Sequence, residues 1–193
     1  MLSFIAWGAG TLTLSKESSS AYVGSVGSEK ITHKEFSTVF RYYDLLARTQ
    51  AAEEDKTQGE KEEKKSGEQT PKPNVPSFDE LKGLTWQTIV LSREARREGI
   101  TVSDEDVRNE VMRIFSTNGN FDQALYDQWI RNIFQGRARD FEEVIRKHVA
   151  SQKLNEKILK GVPETERETH WQKWFQALAS RTKIQDYMAQ GKQ

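Results

Sequence analysis

Apolar residues recur at helical spacing in six successive stretches of the chain, most of them opened or closed by a recognisable cap, and this periodicity leaves few fold classes open. In the first, Thr32 and Glu35 are spaced as a capping box, and Phe36, Val39, Phe40, Tyr43, Leu46 and Ala47 follow on one face. Leu81, Leu84, Thr88, Ile89, Ser92 and Ala95 mark the second, which stops at Gly99, the residue type best suited to a helix C-terminus. Ser103 and Asp106 form another box ahead of Val107, Val111, Ile114 and Phe115. Asp122 is placed to cap a fourth helix bearing Leu125, Tyr126, Trp129, Ile130 and Ile133, which Gly136 breaks. Asp140 with Glu143 opens a long fifth helix through Val144, Ile145, His148, Val149, Leu154, Ile158 and Leu159, stopped by Gly161 and Pro163. The sixth starts between Glu164 and Thr169, carries Trp171, Trp174, Phe175 and Leu178, and is expected to continue through Ile184, Tyr187 and Met188.

Three segments fall outside this pattern. Tyr22 to Thr32 reads as a small β element, with Val23, Val26 and Ile31 around a Gly27-Ser28 turn. Residues 49–77 lose all periodicity to Glu, Lys, Gln, Gly and Pro and are expected to form a disordered insertion within one domain, because they bury too little to offset their ordering entropy. Residues 1–20 begin with the apolar run Met1 to Leu14. That run is shorter than the roughly 20 residues a membrane span needs and has no basic start or small-residue cleavage site. It reads either as a disordered or surface-docked terminus or as the outer end of a membrane anchor. The expected architecture is therefore mainly α, an orthogonal multi-helix domain over residues 21–190, with a small N-terminal β element and a completing C-terminal helix.

Composition narrows the chemistry. Lys plus Arg equals Asp plus Glu at 29 each, so no field draws the chain to nucleic acid, and none is expected as a partner. The chain has no cysteine, which removes disulfides, thiolate metal sites and cysteine nucleophiles together. Of its three histidines, His33, His148 and His170, the first and last lack a carboxylate or second histidine at ligand spacing. His148, on an apolar helix face, reads as a hydrogen-bonded core or boundary residue. No phosphate loop, dinucleotide fingerprint or nucleophile elbow occurs, so no catalytic residue, metal or cofactor is expected.

The order of these signals resembles a known family. Ala21 to Phe36 (AYVGSVGSEKITHKEF) is similar to the strand-turn-helix opening of SurA/PpiD-type N-terminal domains, with Gly27-Ser28 where that family has Asn-Gly. Leu81 to Val111 (LKGLTWQTIVLSREARREGITVSDEDVRNEV) resembles its helix ending in Glu-Ala-Lys/Arg-x-x-Gly-Ile followed by Val-Ser-Asp-Glu-Glu-Val. Phe121 to Leu159 adds the Phe-Asp-x-x-x-Tyr and Phe-Glu-Glu helices, and Trp174 to Met188 (WFQALASRTKIQDYM) is similar to the C-terminal helix that completes the chaperone core. Many relatives carry a parvulin-type prolyl isomerase domain between the last two helices. Here only nine residues separate Gly161 from Trp171, so the resemblance implies a chaperone core with that module absent.

The resemblance also implies an ATP-independent, non-catalytic periplasmic chaperone that binds unfolded or extended segments of envelope proteins, held in the envelope or anchored to the inner membrane through its N-terminus. The alternatives are a scaffolding domain docked on one fixed partner at the membrane, or a fragment of a peptidyl-prolyl isomerase. Trp86, Trp129, Trp171 and Trp174 read first as core. Met112, Phe115, Phe121, Tyr126, Trp129 and Phe134, around the Asn118-Gly119 turn, are the candidate peptide-binding residues, since Met and aromatic side chains adapt to varied apolar segments.

Overall fold

The computed structural model describes residues 22–62, 76–117, 119–135 and 137–188. The chain begins with a hairpin of β1 (Tyr22–Val26) and β2 (Glu29–Thr32), turning through Gly27 at φ +60°, a conformation open to glycine at no steric cost. Only Ile31 of β2 points into the core, whereas Val23 to Val26 of β1 are all buried. That difference arises because β1 is the central strand of a three-stranded sheet.

Its third strand, β5 (Ile184–Asp186), comes from the far end of the chain and pairs antiparallel with β1, with Ser25 opposite Gln185. The helical reading of Ile184 to Met188 is therefore corrected: the final helix ends at Arg181 and the chain straightens. Backbone bonds from Gly27 N to Lys183 O (2.8 Å) and from Tyr187 N to Val23 O (2.9 Å) bracket the strand. The Asp186 carboxylate meets Lys82 at 2.6 Å. An open edge on β1 would leave buried peptide groups unpaired, and a β-branched, aromatic-containing tail satisfies them.

Helix α1 (His33–Glu62) starts with half of the expected box. The Glu35 amide donates to Thr32 Oγ1 (3.1 Å), but the Glu35 carboxylate turns to the Arg93 guanidinium (3.1 Å), which also holds Glu29. An interelement ion pair thus replaces the local cap. The helix continues past Thr49 to Glu62, through Ala, Glu, Lys and Gln, which favour helix without needing burial. The rest of the expected insertion up to residue 75, like residues 1–21, lies outside the described residues.

Helix α2 (Phe78–Arg97) opens on a complete capping box of Ser77 and Glu80. It closes on a Schellman turn, with Gly99 at φ +72° and Ile100 N donating to Ala95 O (2.9 Å). Helix α3 (Asp104–Ile114) has the expected box of Ser103 and Asp106. Lys153 and Ser103 hydrogen-bond the Asp106 carboxylate and hold its pKa at about 2. A folded pKa below the ordinary 3.8 contributes stability above that value, which is lost as pH falls toward 2. Ser103→Ala is expected to cost about 1 kcal/mol, read as a lower urea midpoint with an unchanged slope.

A short hairpin of β3 (Ser116–Thr117) and β4 (Asn120–Phe121) comes next, its turn passing through Gly119 at φ +80°. Asn118 itself is outside the described residues. Asp122 caps α4 (Gln123–Asn132) by accepting from Leu125 N at 2.9 Å, as expected. Helix α5 (Ala138–Leu159) begins before Asp140, which instead pairs with Arg137 and Lys34. Gly161 at φ +80° and Pro163 turn the chain into α6 (Glu164–Arg181). One continuous core results, in which Ile89 and Val90 of α2, Val144 and Ile145 of α5, and Phe175 and Leu178 of α6 are all fully or nearly fully buried. The buried Glu94 carboxylate of α2 is neutralised by Arg97 and by Arg181 at the end of α6, which ties the C-terminal helix down next to the strand it feeds.

Candidate functional site

The segment from α3 to the start of α5 carries an aromatic cluster whose hub is Phe141, fully buried at 0% exposure. Its ring lies 5.1 Å from Phe134, 5.8 Å from Phe115, 6.1 Å from Tyr126, 6.4 Å from Trp129 and 6.4 Å from Tyr42 of α1. Most of these contacts are edge-to-face or tilted, the arrangements that ring quadrupoles favour. Phe115 adds contacts to Trp129 (4.9 Å), Tyr126 (5.3 Å) and Phe121 (6.3 Å).

The six expected binding residues therefore divide. Phe115, Trp129 and Phe134 are buried and form the floor of the segment, so they offer no surface to a ligand. Phe115 follows α3 and Phe134 follows α4, and at such places helical spacing does not say which side is covered. Phe121 and Tyr126 are half-buried, with rings 5.7 Å apart, and burial pushes the Tyr126 hydroxyl pKa up. Met112 stands out from α3 at 42% exposure. Of the six, Met112, Phe121 and Tyr126 keep exposed surface, and the rings of Phe121 and Tyr126 pack on the buried Phe115. Phe141 lies outside the six expected residues, and its place near the start of α5 carries no local sign that it is the hub of the cluster.

Other aromatic groups lie apart. Phe78, at 62% exposure, rests its ring 5.3 Å from Phe40 near the start of α2. Trp171 and Trp174 of α6 stack at 5.0 Å and are half-buried, while Trp86 and Trp129 are core. His33 and His170 are exposed, and His148 is a boundary residue 3.5 Å from the Glu110 carboxylate. Among the described residues no three His, Asp or Glu side chains come together so as to hold a metal ion, and no helix is long and apolar enough to cross a membrane.

Compared with known proteins, residues 1–155 match the SurA-like N-terminal domain, well over half of the chain. No curated protein and no solved structure matches it. The matched span takes in the β1–β2 hairpin, α1 to α4 with the aromatic segment, and most of α5, whereas the Trp174 to Met188 part of the sequence resemblance lies beyond it. The chain belongs to the SurA-like N-terminal domain family.

Proposed function

We propose that the chain is an ATP-independent, non-catalytic chaperone domain that shelters unfolded or extended segments of cell-envelope proteins, working in the periplasm and held near the inner membrane by its apolar N-terminal segment. The SurA N-terminal domain is the non-catalytic part of its family, which supports a binding role over an enzymatic one. The observation that carries the reading is the apolar surface left by the exposed Met112 of α3 and by the half-buried Phe121 and Tyr126, whose rings pack on the buried Phe115. A surface of one adaptable thioether and two aromatic rings gains apolar burial from many sequences and selects weakly among them.

The test is capture of an unfolded outer-membrane protein, read as suppressed aggregation without nucleotide, together with a peptide array. Met112→Gln combined with Phe121→Ser is expected to weaken binding of aromatic-rich peptides about fivefold or more. Met112→Gln alone, at an exposed site, is expected to leave the urea midpoint within about 0.5 kcal/mol of the parent. A single stoichiometric partner with no response to unfolded clients would instead identify a scaffolding domain.

A further inference from the structure

Positive charge gathers where α1, the end of α4 and the start of α5 meet. Lys34 of α1 and Arg137 engage the two oxygens of one carboxylate, Asp140, at 2.8 and 2.9 Å, and both keep more than half of their side chains exposed. Arg41, two turns beyond Lys34 on the same face of α1, is exposed and donates to the Ile133 carbonyl at the end of α4 (3.4 Å). Arg131, in the last turn of α4, and Arg139, in the first turn of α5, are also exposed. Among the described residues their side chains take part in no ion pair or hydrogen bond. Five cations therefore share a single carboxylate.

The other acidic residues of these elements are turned elsewhere. Glu35 serves Arg93 and Lys147, Asp44 holds Arg48, and Glu143 lies 3.8 Å from Lys147. Asp127 accepts from the Gln123 amide, and both it and Glu142 act on the Tyr126 hydroxyl, on the side of the proposed binding surface. The chain as a whole is neutral, so this patch is a local asymmetry of charge. It also lies where the chain enters the domain. Tyr22, the first residue of β1, pairs with Thr32, which directly precedes α1, and Lys30 sits over the Tyr22 ring at 5.7 Å. Lys34 follows Thr32 by two residues. Residues 15–21 separate Tyr22 from the apolar run Met1 to Leu14 and can reach at most about 25 Å even when extended.

We propose that Lys34, Arg41, Arg131, Arg137 and Arg139 form a membrane-facing surface that lies against anionic phospholipid headgroups and orients the domain on the bilayer. This rests on the apolar run being the membrane attachment proposed above, because the short link then keeps the Tyr22 end of the domain near the headgroups. Only Lys34 and Arg137 converge on one point, and Asp140 already fills it. Charges spread over three elements suit a sheet of headgroups better than a single bound phosphate. Each cation held near an anionic leaflet raises partitioning about fivefold, within a Debye length of about 8 Å at physiological salt.

The experiment is co-sedimentation of the full chain with vesicles of phosphatidylcholine, alone or mixed equally with phosphatidylglycerol. The parent should partition at least about tenfold more strongly into the anionic vesicles, and the excess should vanish in about 1 M salt, where the Debye length is about 3 Å. Arg131→Gln/Arg139→Gln breaks no ion pair, so it should keep the parent urea midpoint and lose about tenfold or more of the anionic partitioning. Arg108→Gln/Lys160→Gln removes the same charge from exposed positions on α3 and just past α5, with Lys160 about 30 Å from Arg139 along the helix, and should retain it. Equal partitioning of the parent into both vesicles, parent-like binding by Arg131→Gln/Arg139→Gln, or an equal loss in Arg108→Gln/Lys160→Gln would each overturn the proposal. Intact vesicle binding with lost capture of acidic peptides in Arg131→Gln/Arg139→Gln would also overturn it, and would assign the patch to clients. The parent separates the two readings: an apolar attachment shows as salt-resistant binding to neutral vesicles, the basic surface as the salt-sensitive excess on anionic ones.

Discussion

Gly24→Ala is expected to destabilise the domain by about 3 kcal/mol, the upper end of the range for overpacking, although it adds a single methyl group. Gly24 lies in β1, between β2 and β5, opposite Ile31 on one side and Asp186 on the other. A Cβ there would lie 2.0 Å from the Gln185 carbonyl oxygen and 2.7 Å from the Trp86 ring. Neither neighbour can retreat cheaply. Trp86 is 5% exposed and packs 5.2 Å from Phe36, while moving Gln185 strains the backbone bonds at Lys183 and Tyr187 on either side. The strand that yields is β5, so the amides of Gly27 and Tyr187 should lose their exchange protection first. Gly83→Ala in α2 is the control, since a Cβ there meets nothing within 4 Å. It should raise stability by about 0.5–1 kcal/mol through helix propensity and a less flexible unfolded chain. Urea denaturation of both variants is decisive: a Gly24→Ala midpoint indistinguishable from the parent would show that β5 is not seated as described.

How far local sequence reveals the fold depends on the range of each interaction. The Ser103–Asp106 box, the Asp122 cap and the Gly99 terminus are closed by groups within a few residues of one another, so spacing alone locates them. The Thr32–Glu35 box has the same spacing but is only half realised, because Arg93 of α2 outcompetes the local amide for the Glu35 carboxylate. Strand β5 has its partner at the other end of the chain, and its Ile-Gln-Asp sequence, following a helix, carries no local mark of pairing. The candidate site was legible as a cluster and not as a surface. Periodicity gathers Phe115, Tyr126 and Trp129 into one region, but burial depends on Phe141, contributed by a helix that begins only after another turn of chain.

Phe141→Ala is expected to cost about 3–5 kcal/mol, the range for removing a fully buried aromatic ring, and so a large share of the roughly 5–15 kcal/mol that stabilises an ordinary domain. The cost arises in two parts. The ring loses its burial, and the space it leaves is bordered by Tyr42, Phe115, Tyr126, Trp129 and Phe134, which come from different elements and cannot all close inward together. Phe141→Leu keeps much of the volume and should lose far less, and Tyr126→Ala should also fall short of Phe141→Ala because Tyr126 is half-exposed. Near-UV circular dichroism reports the change directly, since these rings share one asymmetric environment that Phe141 fixes. The pair of variants Phe141→Leu and Met112→Gln also separates stability from binding. Were the aromatic segment only a core, both would leave client capture unchanged. Under the proposed function, Phe141→Leu should retain capture wherever the domain stays folded, because it alters the floor and not the face. Met112→Gln should weaken it with the fold intact, because Met112 touches the client and contributes little to the core. A Phe141→Leu protein that is stable yet unable to bind would move the contact surface inward and remove Met112, Phe121 and Tyr126 from the binding role.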